Sequence, residues 1–510
     1  MKVMIRLLLV LALLWTVAAR ADLQYELQSI AEQLVLDSAG HLPSGGRVYQ
    51  PAYVEAFYAE LEYQPAWQDP EQARQVLELL NASAMDGLDP ADYHYPELMS
   101  LWSGQDGWPG ESRSRARFDV LLTDGILLFI RHLLEGKANP LQLDPSFNYT
   151  RVDYEPARVS ASLRKSIAEK RIPSVIQGAR PAMPFYQQMM TALAYYRDLA
   201  TRKPFVPVPD DVVLRPGDSH AHVPAMRARL VDLAYLEAGS GSSRIYDAPM
   251  EAAVRQFQMD HGIDVDGIVG RQSYVFLNMS FQDRVDSLRV NMDRLRWVAR
   301  DVTDDFIIVN IAGFEMYYMR NQTLFWESPV MVGTIEHQTP IFTARLKYLE
   351  FNPIWTVPRS IIGRSLLPKF KANPQYAVDN NYHLYDRNGR QVDPLSLHWS
   401  RYSINNFPFR VVQQPGPHNA LGRVKFIFPN RYAVYLHDTP ARQLFSRSAR
   451  AFSSGCVRVK QPLEFAEVLL SDSDNWSLPQ IESLIESAKP QERVYLDRDV
   501  DVMLMYWTTS

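Results

Sequence analysis

The sequence predicts a multidomain α+β chain with a mostly helical N-terminal scaffold, a small three-helix unit, and a β-rich C-terminal domain interrupted by an insertion. Three observations carry this prediction. Apolar residues recur at helical spacing from about Tyr25 to Arg202, the same period returns between Leu214 and Asn278, and strand-like alternation takes over from Phe306. With 510 residues, 46% of them hydrophobic and 22% charged, the chain can build about two to four separate cores. A net charge of -5 offers no general attraction to nucleic acid, whose binding rests on neutralising phosphates. The 11 histidines are scattered and form no His-Glu-x-x-His pair, and a single cysteine excludes a two-cysteine zinc knuckle. No metal and no other cofactor is expected.

The chain opens with an export pattern. Lys2 and Arg6 flank a short n-region, Leu7 to Val17 is nearly all apolar, and Ala19-Arg20-Ala21 gives the small-x-small cleavage site. Residues 1–21 are therefore expected to be a signal peptide, with Asp22 the first mature residue. An apolar stretch of about eleven residues falls short of the roughly 20 that a membrane-spanning helix needs, which leaves an uncleaved anchor as the alternative.

Residues 22–203 are expected to form the helical scaffold. Its clearest element runs from Ala116 to Leu134, where Phe118, Leu121, Leu122, Ile126, Leu127 and Ile130 share one broad face, and Gly136 and Pro140 close it. The proline-rich linker Pro204–Pro209 should be extended. In the next unit, 214–280, Val223, Met226, Leu230, Leu233 and Leu236 mark one helix, and Met250, Ala253, Val254 and Phe257 a second. A glycine-punctuated loop from His261 to Gly270 precedes a third near Ser273–Leu277. Residues 281–303 are expected to be a linker helix.

The β-rich domain is expected over 304–485. Ala312-Gly313 separates the strand candidates Phe306–Ile311 and Phe314–Met319, a hairpin signal. Further candidates are Ser328–Val332, Phe342–Phe351, Val424–Phe428, Tyr432–Leu436 and Val502–Trp507. The polar, aromatic stretch 358–409 is longer than a hairpin needs, and is either a lid or a surface subdomain. Residues 486–510 are expected to pack on the scaffold or on the β-rich domain.

Chemistry concentrates at Cys456, the only cysteine, in the run Phe452-Ser453-Ser454-Gly455-Cys456-Val457-Arg458. One thiol makes no internal disulfide, so it is a buried bystander, a cross-chain link or a nucleophile. The small residues before it favour the nucleophile, because glycine allows close approach of a substrate. A thiol acts as the thiolate, and an imidazole can take its proton and return one to a leaving amine. His437, nineteen positions upstream at the end of a strand-like run, is the candidate base. The amides around Ser454 and Gly455 are candidate donors to a developing oxyanion. Arg458 can hold a carboxylate, with an ion pair to an acidic neighbour as its alternative. His418 reads as a loop histidine.

Two sets of motifs resemble known families. Ala253-Val254-Arg255-Gln256-Phe257-Gln258, His261-Gly262 and Asp266-Gly267-Ile268-Val269-Gly270 are similar to the pattern of the PG_binding_1 peptidoglycan-binding domain, with Ser273 where threonine is usual. Pro417-His418-Asn419-Ala420-Leu421-Gly422, Lys425-Phe426, Tyr435-Leu436-His437-Asp438-Thr439-Pro440 and Ser453-Ser454-Gly455-Cys456-Val457-Arg458-Val459 resemble the YkuD L,D-transpeptidase domain. Ser454 replaces the usual second histidine of that signature, which leaves the base to His437. The whole layout resembles the large periplasmic YcbB-type L,D-transpeptidases of Gram-negative bacteria.

That resemblance implies a periplasmic enzyme acting on peptidoglycan stem peptides and glycan, alongside other wall-synthesis enzymes. It implies attack by Cys456 on the diaminopimelyl–D-alanine bond, loss of D-alanine, and aminolysis of the thioester to a 3→3 cross-link. Acylation by carbapenems follows the same logic. Asn352, Trp355, Tyr435 and Arg458 are the candidates for lining the substrate cleft. An L,D-carboxypeptidase or muropeptide-editing hydrolase would use the same acyl-enzyme, and a non-enzymatic wall-binding scaffold would not need Cys456 at all.

Overall fold

The computed structural model describes residues 21–42, 45–102, 107–143, 154–239, 243–299, 302–472 and 476–508. The export pattern in residues 1–20 lies outside them. The chain forms two compact units. One ends at Phe205 and takes in Ser280–Asp301, and the other comprises Val206–Met279 and Val302–Thr508. Among the described residues, no helix is long and apolar enough to cross a membrane.

The first unit is helical, as the period predicts, and its central helix is Ser112–Glu135, closed by Gly136 at φ +79. This helix is more deeply buried than a single apolar face suggests. Its acidic residues Asp119 and Asp124 are fully buried and accept hydrogen bonds from neighbouring loops. Asp119 takes the amide of Ala66 at 2.9 Å and the Tyr58 hydroxyl at 2.7 Å, and Asp124 takes the amides of Tyr49 and Gln50 at 2.9 and 2.8 Å. These two carboxylates close the polar groups of adjacent segments. The helix expected as a linker, Phe281–Ala299, belongs to this unit. Its buried Arg296 donates to the Tyr186 hydroxyl at 2.7 Å.

The three expected helices of the second unit's small module are Val223–Asp232, Ala248–Asp260 and Arg271–Leu277. They enclose a core of Val223, Met226, Leu230, Val254 and Phe257, among others. Leu236 lies beyond the first helix, whose cap is Leu233.

Among the described residues, the remaining chain builds thirteen strands. Nine form one sheet: β1 (Phe306–Asn310), β2 (Glu315–Arg320), β3 (Thr323–Gly333), β4 (Phe342–Phe351), β9 (Val424–Ile427), β10 (Leu436–His437), β11 (Ala451–Ser453), β12 (Val457–Val459) and β13 (Glu492–Met505). Their order is β11-β3-β12-β10-β9-β4-β13-β1-β2. β3 also pairs with β2 through Thr323–Pro329 while pairing with β12 at Val330 and Met331, so the sheet closes on itself. Inside lie Leu349, Phe426, Leu436, Val457 and Val459, covered by Phe465 of the helix Pro462–Leu470.

The expected strand Val502–Trp507 is seen as far as Met505, as the end of the longer β13 in the β-rich domain. β13 runs through the sheet, antiparallel to β4 and parallel to β1, where Val502 and Leu504 are fully buried. The expected strand Tyr432–Leu436 begins only at Leu436, because Asn430 folds the chain before it into a turn. The Asn430 side chain binds the Tyr432 amide and the Val434 carbonyl, and Ala433 has φ +53.

The insertion has its own sheet, β5-β8-β6-β7, made of β5 (Trp355–Thr356), β6 (Tyr382–Tyr385), β7 (Gln391–Val392) and β8 (Arg410–Gln413). It also has its own core of Phe370, Leu384, Trp399 and Val411. It is a subdomain.

Candidate active site

Parallel pairing of β10 with β12 sets Leu436 beside Val457 and His437 beside Arg458, and the Val457 amide donates to the Tyr435 carbonyl at 3.1 Å. Leu436 and Val457 point into the core. Alternation then puts Tyr435, His437, Cys456 and Arg458 on the opposite face. The lateral row continues from His437 to Lys425 on β9, Glu350 on β4 and Arg493 on β13. Five strands thus lay Arg458, His437, Lys425, Glu350 and Arg493 side by side next to the only thiol. Glu350, itself buried, pairs with Arg493 at 3.3 Å.

Both candidate reacting groups rest uncharged. Burial pushes the Cys456 thiol up, against the opposing pull of Tyr435, Lys425 and Arg458. Burial, then the positive charges of Arg458 and Lys425, push His437 down to about 3. Its Nδ1–H donates to the Asp438 carbonyl at 2.5 Å, since a carbonyl only accepts, and the Leu421 carbonyl also lies within reach of the ring. The thiol has the Ala433 carbonyl at 3.8 Å and the Tyr435 hydroxyl within hydrogen-bonding reach. The thiol and imidazole occupy one face without a hydrogen bond to each other, a separation common in unliganded sites. The Tyr435 ring lies between several partners: Lys425 Nζ is 4.1 Å from its centre and the His437 ring 5.6 Å.

The group that orients His437 was not legible in the sequence. It is the backbone of Asp438, whose own carboxylate is buried and clamped. Asp438 accepts the amides of Arg423 at 2.9 Å and Thr439 at 2.7 Å, and pairs with the guanidiniums of Arg423 at 3.4 Å and Arg442 at 3.3 Å. Gly422 has φ +65, and a Cβ there would come within 2.3 Å of the Asp438 side chain. This explains the glycine of Pro417–Gly422. Asn419 of the same motif is buried and donates to the carbonyls of Pro353 and Gln414. His418 is exposed, as expected of a loop histidine.

The nucleophile loop is held by two hydroxyls that sequence reasoning missed. Ser453 Oγ accepts the Gly455 amide at 3.0 Å and donates to the Cys456 carbonyl at 2.5 Å, while Thr339 Oγ1 donates to the Gly455 carbonyl at 2.8 Å. Gly455 has φ +114, a conformation open to glycine. The Gly455 amide is thereby committed to Ser453, which removes it as an oxyanion donor. The amides of Ser454 and Cys456 carry no hydrogen bond among the described residues. Ser454 Oγ accepts from Arg364 of the insertion at 3.0 Å.

Arg458 shares the face of Cys456, and its Nε is buried without a hydrogen-bond partner among the described residues. The other two cleft candidates sit elsewhere. Asn352 has φ +48 and gives its amide nitrogen to the Ile485 carbonyl at 3.1 Å, bracing the end of the helix Leu478–Glu486. Trp355 pairs with Gln413 and packs on the insertion's core. Among the described residues, no group of three or more His, Cys, Asp or Glu side chains is arranged to hold a metal.

Three family models match the chain. Residues 52–193 match a scaffold domain, residues 219–277 the PG_binding_1 family described as "Putative peptidoglycan binding domain", and residues 304–480 the YkuD L,D-transpeptidase catalytic domain. The last two stretches are those whose motifs resembled these families, and the first lies within the expected helical scaffold. A "Putative L,D-transpeptidase" of Haemophilus influenzae is 42% identical over 226 residues, covering 44% of this chain and 44% of that protein. The alignment thus spans under half the length of the curated relative. Similar solved structures include an L,D-transpeptidase from Xylanimonas cellulosilytica, at 14% identity over 59% of this chain and 100% of that one, with a TM-score of 0.20. Another is from Stackebrandtia nassauensis, at 14% identity over 59% and 97%, with a TM-score of 0.21.

Proposed function

We propose that the chain is a cysteine-dependent L,D-transpeptidase that forms 3→3 cross-links between diaminopimelate residues of peptidoglycan stems. The observation that carries this reading is the sole thiol on a strand face beside His437 and the unpartnered Arg458, in a domain of matching family. In the first step, Cys456 Sγ attacks the carbonyl carbon between diaminopimelate and D-alanine, and its proton passes to His437. The amides of Ser454 and Cys456 are the donors left to face the oxyanion. The C–N bond then breaks, the D-alanine amine leaves with the proton from His437, and a thioester remains. In the second step, the side-chain amine of a neighbouring diaminopimelate attacks the thioester. Its proton goes to His437 and then to the departing thiolate.

Arg458 serves as receptor for a stem carboxylate, because a guanidinium this buried gains most from a charged, planar partner. The neutral resting pair suits a site whose charges develop only once substrate has displaced water. Export by residues 1–21 would place the enzyme in the periplasm with its polymer. The test is intact mass after mixing with a tetrapeptide stem. Loss of D-alanine with one adduct on Cys456 is the expected result, followed by dimer formation. A protein that gives only tripeptide is a carboxypeptidase, and one that gives no adduct is a scaffold.

A further inference from the structure

We infer that the cleft between the linker and the last helix of the small three-helix module binds a zwitterionic amino-acid group, one carrying a carboxylate and an ammonium on the same carbon. The cleft measures about 460 Å³ and is lined by Asp210, Asp211, Val213, Arg271, Tyr274 and Val275. That volume lies within the range of small-molecule sites.

Its wall is fixed at both ends. Val208 exchanges two hydrogen bonds with the Asn278 side chain, at 2.8 and 2.9 Å, and Leu214 exchanges two with the Val269 backbone, at 3.1 and 2.9 Å. Residues 209–213 are thereby strung between two anchors beside the helix Arg271–Leu277. The linker is part of the module, not a spacer ahead of it.

The chemistry of the cleft is unfinished. Tyr274 is 3% exposed, and its hydroxyl has no hydrogen-bond partner among the described residues. A buried hydroxyl left so is unfavourable, and a ligand can satisfy it. Burial, then the negative charges of Asp211 and Asp210, raise it to about 12, which keeps it a donor. Arg271 and Asp210 have neither an ion pair nor a side-chain hydrogen bond among the described residues. Asp211 lies 3.2 Å from His222. Val213 and Val275 are more than half exposed and frame the opening. Arg271 with the Tyr274 hydroxyl suits a carboxylate, and Asp210 an ammonium.

The glycine loop that carries the family motif borders a smaller cleft, of about 190 Å³, which Arg271 shares with Asp264, and its other polar groups bond within the loop. Gln258, itself buried, accepts the Gly267 amide at 2.8 Å and donates to Asp266 and the Ile268 carbonyl, each at 2.9 Å. The motif's polar residues hold the loop shut. The side-chain end of diaminopimelate is a zwitterion of the required kind, so the module would grip the peptide stem and not the sugar. That identity of the ligand rests on the proposed function.

The probe is free meso-diaminopimelate, titrated into the full chain by calorimetry with chitotetraose as the sugar control. The amino acid should bind and the sugar should not. Arg271→Ala should weaken binding by about tenfold or more, and Tyr274→Phe by roughly 2- to 10-fold, the range of one hydrogen bond. Arg244→Ala, at an exposed arginine of the same module outside the cleft, should bind as the parent does. Tm measurements establish that each variant is folded. No binding by the parent, preference for chitotetraose, or a loss at Arg244 equal to that at Arg271 would each overturn the inference. None of these outcomes bears on the Cys456 adduct, so failure here is separate from failure of the enzymatic reading.

Discussion

Two buried histidines on the two units of this molecule differ in what holds them. His94 of the helical unit presents Nε2 to the Asp124 carboxylate at 2.6 Å, beneath the Tyr49 ring, whose centre is 5.2 Å away. Asp124 also gathers two loop amides, so His94 completes a closed network. His437 of the nine-stranded sheet has the Asp438 carbonyl on Nδ1 and the Leu421 carbonyl within reach, and its charged neighbours are cations. A carboxylate partner makes an imidazole part of the frame. A carbonyl partner with cations nearby leaves a neutral base. Burial alone, which the two share, does not separate a structural histidine from a catalytic one.

The largest expected effects test this contrast directly. Cys456→Ser should abolish the acyl adduct while folding normally. His437→Ala should slow acylation by about 10²–10⁴-fold, the usual worth of a general base. His94→Ala should leave acylation per folded molecule unchanged and lower stability by about 1–3 kcal/mol through the buried groups it leaves unpaired. Acylation rates by stopped-flow and Tm by calorimetry separate the two. Slow acylation in folded His94→Ala would break the comparison.

The same contrast predicts pH behaviour. His437 binds its proton in the unfolded chain near the ordinary 6.5 and in the folded chain only near 3. Between these values the unfolded state holds more protons, so this group's contribution to stability is present above 6.5 and is lost as pH falls toward 3. His437→Gln should flatten that acid slope in denaturant titrations. On the alkaline side, iodoacetamide alkylation of Cys456 should rise with pH beyond the ordinary thiol range, because burial pushes the thiol up. Lys425→Met should move that rise to still higher pH. Alkylation that is already complete and flat at neutral pH would mean a resting ion pair.

The Asp438 clamp should matter less. Arg442→Ala frees one of two guanidiniums, and the Asp438 carboxylate keeps Arg423 and two amides. A loss of roughly tenfold in kcat with KM unchanged is expected if the carbonyl that orients His437 shifts by a fraction of an ångström. An equal fall in Tm without any kcat change would make the clamp purely structural.

How much of this was legible in the sequence depends on the distance over which each signal acts. Helices such as Ser112–Glu135 and strands such as β1 and β4 follow from local period, and the pair Cys456 and His437 follows from motif residues in one stretch of chain. The charged row from Arg458 to Arg493 was invisible, because it depends on the register of five strands from distant segments. Thr339 and Ser453 carry no local mark of their task, and only the apolar end of β13 was legible as a strand, because its first half, Glu492–Asp499, is mostly charged and exposed. Asn352 looked polar enough for a cleft, yet its positive φ and its bond to Ile485 make it a turn residue.

The smallest expected effect concerns the insertion. Its Arg364 donates to Ser454, two residues before the nucleophile, and this is a side-chain bond from the subdomain to the catalytic loop. If the subdomain closes over an acyl-enzyme, it keeps water out and leaves the thioester to an amine. Arg364→Ala removes one exposed hydrogen bond, so stability should change by no more than about 0.5 kcal/mol. Acylation by a carbapenem should stay within about twofold, since the thiol and base are untouched. The ratio of hydrolysed tripeptide to cross-linked dimer should rise several-fold, because a loosened cover admits water during the lifetime of the thioester. Product analysis by liquid chromatography reads that ratio directly. If it is unchanged in a folded Arg364→Ala variant, the bond to Ser454 positions the nucleophile loop only, and the insertion is a surface subdomain with no part in choosing between water and amine.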